Sequence, residues 1–221
     1  MKLHRSGSWP IEAAESLLGR LRERPQMRLC LATGSTPLPM YSRLAQHPDA
    51  FAAASVLLLD EFGGLPADEP ASCDATLRRV LIHHVRPADY RAIATDHLGE
   101  PAAVDAWIDA GRLDLVVLGI GVNGHLGMNE PGAPAEGRTA RVDLEPTTIE
   151  GAQRYFEGRV RPTWGVTVGL GDLLAAGEVW VLAAGESKVD IVRRSSEGPA
   201  TTAVPASLLQ HHPDVTWWLD R

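Results

Sequence analysis

The sequence predicts an α/β fold, a doubly wound, mostly parallel sheet in a three-layer α/β/α sandwich with a lid segment. Short runs of β-branched residues and Leu alternate with amphipathic stretches along the whole chain. Wholly apolar strands of this kind belong to parallel sheets covered by helices on both faces. The chain has 221 residues, 44% of them hydrophobic, which suits one medium-sized domain spanning 1–221. No internal repeat, low-complexity tract or long linker divides it.

The elements follow in order. Residues 28–32 (RLCLA) read as a buried strand ended by Thr33-Gly34-Ser35. Residues 37–45 read as a helix, with Thr36 as a candidate N-cap and Pro37 at the first helical position. Residues 55–59 (SVLLL) are a second strand, ended by Asp60-Glu61. Residues 72–83 read as a helix with Leu77, Val80 and Leu81 on one face, and 102–110 as another. The strand 113–118 (LDLVVL) comes next, then a helix at 148–156. Segments 165–169, 179–183 and 215–219 complete the strands, with a helix at 187–194 between the last two. The segment 131–162 breaks the rhythm, being rich in Gly, Pro and charge, and is expected to hold a mobile cover over a site.

Composition excludes several classes. Lys and Arg number 21 against 28 Asp and Glu, for a net charge of −7. Such a balance argues against sequence-independent binding to nucleic acid, which needs a basic surface. Cys30 and Cys73 are the two cysteines, so no disulfide framework and no zinc cluster are expected. The apolar stretches at 50–59 and 113–122 are too short to span a membrane, and Pro10 and polar neighbours rule out a signal peptide at the start. A soluble, cytoplasmic protein is expected.

The unusual polar motifs fall after strands, where open α/β sheets bind ligands. ATGSTP presents free backbone N–H groups at a helix start, a cradle for phosphate or carboxylate. Taken alone it reads more readily as an ordinary capped turn, and neither a Walker A loop nor a dinucleotide fingerprint is present there. Asp60 follows an apolar run, a setting that raises a carboxyl's pKa and suits a base; a lone Asp also serves as a cap. Glu61 should point the other way if the strand continues. In GIGVNGHLGMNEPG, glycines hold His125 at a cleft, Asn123 and Asn129 flank it, and Glu130 can orient the ring. Gly119, Gly121 and Gly124 fit GxGxxG, but Gly127 and Pro131 stop any long helix after it, so no nicotinamide cofactor is expected. No ligand set with metal spacing occurs. Lys188 at a helix start opposes the dipole, which suggests an anion beside it, unless it is a solvated surface Lys. The pairs His83-His84 and His211-His212 read as surface or helix-end residues.

From residue 29 to the C-terminus, LATGSTP, LLDEFGGLP, LGIGVNGHLGMNEPG, TTIEGAQRYF, VTVGLGDLL and GESK occur in order. With them the chain resembles the glucosamine-6-phosphate deaminase/isomerase family, including its galactosamine-6-phosphate branch. The resemblance implies a metal-free, cofactor-free conversion of an amino-sugar 6-phosphate to fructose 6-phosphate (or tagatose 6-phosphate) and ammonia. It implies that His125 assists ring opening, oriented by Glu130, and that Asp60 moves the C2 proton to C1. It further implies that Gly34, Ser35, Thr36, Arg154 and Lys188 hold the phosphate. Many relatives carry Asp where this chain has Asn123, which can position the loop but cannot share a proton with His125.

Hexameric, allosterically activated relatives have a longer C-terminal tail, so a monomer or small homo-oligomer is expected, without assumed activation. Residues 202–207 look like the galactosamine branch and Arg154 in GAQRYF like the glucosamine branch, which leaves both epimers open. Two other readings share the fold: a 6-phosphogluconolactonase-type hydrolase, which has no use for Glu130 or for a base at Asp60, and a non-catalytic sugar-phosphate sensor.

Overall fold

A computed structural model describes residues 1–220; Arg221, at the end of the expected domain, lies outside the described residues. The chain opens with strand β1 (Lys2–Arg5) and helix α1 (Trp9–Glu23), then β2 (Arg28–Leu31) and α2 (Leu38–Leu44). Next come β3 (Ser55–Leu58), β4 (Asp60–Phe62) and α3 (Cys73–Leu77), the last running through a π-helical turn, Arg78–Ile82, into α4 (His83–Val85). Strand β5 (Asp89–Arg91), helix α5 (Glu100–Asp109), β6 (Leu115–Gly119), β7 (Ala140–Asp143) and α6 (Pro146–Phe156) follow. The chain ends with β8 (Trp164–Thr167), α7 (Leu170–Leu174), β9 (Glu178–Ala183), α8 (Val189–Glu197) and β10 (Val215–Leu219).

Seven strands form one parallel sheet in the order β1-β10-β9-β6-β2-β3-β5. The chain winds outward from β2 through β3 to β5, then returns to the other side of β2 at β6 and winds outward again through β9 and β10. The order therefore reverses between β2 and β6, and ligands bind beyond the carboxyl ends of strands at such a point. Every residue of β9 and β10 is buried, Glu178 and Thr216 included among their largely apolar sequences, with Trp180 and Trp217 fully enclosed. Arg20 of α1 grips Glu178 at the start of β9 through two hydrogen bonds of 2.7 and 2.8 Å, which anchors that helix on the sheet.

The structure corrects the sequence reading in several places. The segment read as strand 165–169 is β8, and it belongs to a separate three-stranded antiparallel sheet, β4-β8-β7. Its partners were invisible to the apolar criterion: β4 is the polar DEF and β7 alternates half-buried with exposed residues. Helix α1 buries Trp9, Ala13, Ala14, Leu17, Leu18 and Leu21 at helical spacing, yet the sequence reading assigned no element before residue 28. Edge strand β1 has a polar, largely exposed sequence and no apolar run to mark it. Pro37 occupies the cap position of α2 rather than its first turn. His212 is buried, with Nε2 3.0 Å from the Ala176 carbonyl, whereas His83, His84 and His211 are exposed as expected.

Among the described residues, no helix is long and apolar enough to cross a membrane.

Candidate active site

A cavity of about 760 Å³ opens at the carboxyl ends of β2, β3, β6 and β9, at the reversal of strand order. The loops after these strands supply Thr33 to Thr36, Asp60, Gly119 to Val122 with His125, and Ser187 with Lys188. Helix α6 covers one side with Thr148, Arg154 and Tyr155. Convergence of four strand-end loops on one pocket, expected from the motif positions, is what the structure contains. Asn123 and Glu130 are the exceptions: they stand behind His125 and form no part of the cavity wall.

The loop 119–130 fixes the position of the His125 imidazole. Gly121 lies against the ring, and a β-carbon there would overlap its Cε1, Nδ1 and Nε2. Asn123 uses both ends of its amide: Oδ1 accepts from the His125 backbone N–H at 3.1 Å, and Nδ2 donates to Glu130 Oε2 at 2.9 Å. Glu130 Oε2 also stands 3.3 Å from His125 Nδ1, and its Oε1 accepts from the Glu145 backbone N–H at 3.2 Å. Burial alone would raise the Glu130 carboxyl, but hydrogen bonds from His125, Thr148 and Asn123 outweigh it and hold the group at about 2. Glu130 is thus a fixed anion that binds Nδ1 and leaves Nε2 for the cavity. An amide at 123 suits this arrangement better than a carboxylate, which could not donate to Glu130 and would repel it.

Thr148, at the start of α6, brings Oγ1 to 3.2 Å from His125 Nδ1. The sequence reading passed over it because a Thr at a helix start is an ordinary cap residue. Asn129, flanking the same loop, is structural: its amide donates to the Leu126 and Val168 carbonyls at 2.9 Å.

Asp60 lies where the chain leaves the large sheet and enters the small one. Leu59 N–H still bonds Leu31 of β2, while the Leu59 carbonyl already accepts from Val168 just past β8. Alternation along β4 then sends Asp60 to the cavity and Glu61 to the opposite side, as the strand period demands. Glu61 accepts the backbone N–H groups of Phe62, Cys73 and Asp74 at 2.8 to 2.9 Å, which satisfies free donors in the first turn of α3. Asp60 has no such compensation. Burial, then repulsion from Glu61, pushes its carboxyl from 3.8 up to about 7, against a smaller opposing hydrogen bond from Cys73.

The cavity wall also carries cations. Gly34 takes φ +107°, a left-handed backbone that opens the Thr33–Thr36 turn toward the cavity. Lys188 donates from Nζ to the Ile120 carbonyl at 2.7 Å, and Arg154 donates from Nη2 to Tyr155 Oη at 2.8 Å. Among the described residues neither cation meets a carboxylate. Burial, and then the charge of Arg154, pushes the Lys188 ammonium below its ordinary value. Two mutually repelling cations beside exposed backbone amides make a site for an anion. No group of three or more His, Cys, Asp and Glu side chains among the described residues is arranged to hold a metal ion.

The sequence pattern of the glucosamine-6-phosphate isomerase/6-phosphogluconolactonase family matches residues 11–218. The chain belongs to this family. A relative from Streptomyces coelicolor named glucosamine-6-phosphate deaminase is 39% identical, over 94% of this chain and 84% of its own length. One of the same name from Rhodopirellula baltica is 38% identical, over 98% of this chain and 90% of its own. The solved structure of a monomeric glucosamine-6-phosphate deaminase superposes with a TM-score of 0.94 at 30% identity, covering 100% of this chain and 98% of that one. A 6-phosphogluconolactonase from Thermotoga maritima reaches a TM-score of 0.80 at 17% identity, covering 100% and 99%, and shares the fold alone. Family membership therefore establishes the α/β sandwich but leaves the two named chemistries of the family to be separated by the site residues.

Proposed function

We propose that the chain is an amino-sugar-6-phosphate deaminase/isomerase that converts glucosamine 6-phosphate and water to fructose 6-phosphate and ammonia. One observation carries this reading: a buried carboxyl at about 7 shares a cavity with an oriented imidazole and two unpaired cations. A base that takes a proton from carbon near neutral pH needs such a value. Lactone hydrolysis moves no proton from carbon and would leave Asp60 without a task, so the deaminase is the reading the site favours within the family. The relatives named glucosamine-6-phosphate deaminase favour the gluco epimer over the galacto one.

In this reading the phosphate lies against Gly34, Ser35 and Thr36, with Arg154 and Lys188 as counter-charges. His125, its Nδ1 held by Glu130, exchanges a proton at the ring oxygen through Nε2 and opens the pyranose to the aldehyde. Asp60 takes the C2 proton while one proton of the amino group passes to O1, giving an enolamine, and Asp60 then returns its proton to C1. The C2 imine so formed adds water and releases ammonia, leaving the ketone. Glu130 and Asn123 act through His125 and do not touch the sugar.

The segment 131–162 would serve as the cover. It contains β7 and α6, and α6 places Thr148 on His125 at one end and Arg154 at the cradle at the other. Closure over the phosphate and completion of the imidazole's contacts would then be one movement. A monomer acting in the cytoplasm fits this reading, and the solved relative of highest similarity quoted above is monomeric.

The test is ammonia release from glucosamine 6-phosphate and galactosamine 6-phosphate, coupled to detection of the ketose phosphate. Release from the first and little from the second is expected. Hydrolysis of 6-phosphogluconolactone without release of ammonia from either sugar would overturn the reading.

A further inference from the structure

We propose that the Tyr155 hydroxyl is a direct ligand of the substrate's phosphate, completing the cradle while its oxygen holds Arg154 in place. The inference rests on the deaminase reading above and adds a residue to it. Three features of the geometry point to Tyr155. Its Oη accepts from Arg154 Nη2 at 2.8 Å, so the phenol's own proton is not engaged there and remains free to donate. Its Oη also stands above the cradle turn, 3.4 Å from where a β-carbon on Gly34 would sit. The hydroxyl is thus within van der Waals reach of position 34, directly over the turn. The guanidinium carbon of Arg154 lies 4.8 Å from the centre of the Tyr155 ring, which restricts where the cation can go.

Arg154 is exposed and finds no carboxylate, so without the phenol its long side chain would sample many rotamers. Tyr155 is half-buried at the base of the same helix and lines the cavity together with Gly34, Ser35, Thr36 and Lys188. An anion held by backbone N–H groups, an ammonium and a guanidinium lies within reach of the one remaining phenolic proton. Adjacent positions on a helix normally diverge by about a third of a turn. Arg154 and Tyr155 converge only because the guanidinium folds back over the ring, and that fold brings its charge to the cradle.

The experiment compares wild type, Tyr155→Phe and Arg154→Ala as full-length chains. It measures kcat and KM with glucosamine 6-phosphate, the inhibition constant of inorganic phosphate, and the urea midpoint. Phe keeps the ring beneath Arg154 and removes only the hydroxyl. The expected result is a rise of roughly tenfold in both KM and the phosphate inhibition constant, since a hydrogen bond to an ionised group is lost. The kcat should stay within about twofold, and the urea midpoint should not move. A Tyr155→Phe enzyme with wild-type KM and phosphate inhibition, beside a weakened Arg154→Ala enzyme, overturns the role of Tyr155 and leaves the phosphate site standing. A fall in kcat with KM and phosphate inhibition unchanged overturns it too, since the hydroxyl would then act elsewhere. A wild type that neither releases ammonia from the sugar phosphate nor binds inorganic phosphate overturns the deaminase reading itself.

Discussion

Asp60→Asn should make the protein inactive and, above neutral pH, more stable. Burial and the neighbouring Glu61 hold the Asp60 carboxyl at about 7 in the folded chain, against an ordinary 3.8. Between those values the folded state keeps the proton and the unfolded state has released it. The wild type is therefore stabilised below about pH 4 and loses that stability as pH rises through 7. Each tenfold difference in proton affinity is worth about 1.4 kcal/mol, so the loss amounts to about 4 kcal/mol once both forms are ionised. An amide at this position has no proton to lose. Urea unfolding at pH 4.5, 6 and 8 should show wild type falling relative to Asp60→Asn by several kcal/mol across the range. Any constant offset from how the amide fits cancels in that slope, and of the other carboxylates Glu61, which repels Asp60, is the one whose titration changes with the substitution. The same variant should lose about 10²–10⁴ in the rate of C2-proton exchange, measured by deuterium incorporation from solvent. Parallel stability curves in the two proteins would refute the placement of Asp60 as a strained base, and wild-type exchange would refute its catalytic role.

Other consequences are as direct. Arg154→Ala and Lys188→Ala should each weaken substrate binding at least tenfold, with Arg154→Lys restoring it only in part because the planar fork is lost; steady-state KM on phosphorylated and unphosphorylated amino sugar measures this. Gly121→Ala should retain native circular dichroism and lose activity by about 10² or more, because the methyl group overlaps the His125 ring and displaces a proton-transfer group; near wild-type turnover would show that the imidazole position is not critical. Asn123→Asp removes a 2.9 Å donor from Glu130 and sets a second anion beside it. That variant should be less stable by about 2 kcal/mol at pH 8, with the deficit shrinking toward pH 4 as the new carboxyl protonates; a pH-independent deficit in urea midpoints would rule out the charge explanation.

The five inner strands of the large sheet were legible because they are buried on both faces, and such strands write themselves as apolar runs such as LVVL and VWVLA, whereas the exposed edge strands β1 and β5 carry no such run. The motifs were legible because a parallel sheet sends all its carboxyl ends to one edge. In the small sheet only the buried β8 was legible as a strand; β4 and β7 were not, since each has a solvated or site-facing side and only three or four residues. That gap matters for the proposed function: the antiparallel pairing of Asp60 with Thr167 is what holds this carboxyl in a buried, strand-fixed position. From sequence alone Asp60 could equally be a cap. Likewise GxGxxG spacing drew attention to the loop 119–124, but the decisive feature, the packing of Gly121 on the imidazole, depends on a chain reversal that spacing does not encode. Thr148 and Tyr155 were hidden for another reason. Their neighbours are brought by the fold of a segment whose sequence gives few signs of where it lies.

Two carboxyl groups at this site, Asp60 and Glu130, are both nearly inaccessible to solvent, yet one is held at about 7 and the other at about 2. Burial raises both, and Asp60 more completely, so the donors around each carboxyl widen a difference that burial begins. Glu130 is surrounded by donors: the His125 ring, the Thr148 hydroxyl, the Asn123 amide and the Glu145 backbone N–H. Asp60 faces the cavity on one side and shares its strand with another carboxylate, Glu61, whose three backbone donors all serve Glu61 instead. In the proposed reaction the division of labour follows from this difference in burial and in hydrogen-bond donors. A carboxylate saturated with donors cannot accept a proton near neutral pH, so it can only orient and stabilise its imidazole. A carboxyl starved of donors both accepts and returns one, as an intramolecular C2-to-C1 transfer requires. Exchanging the two environments, and not the two residue types, is what would exchange the roles.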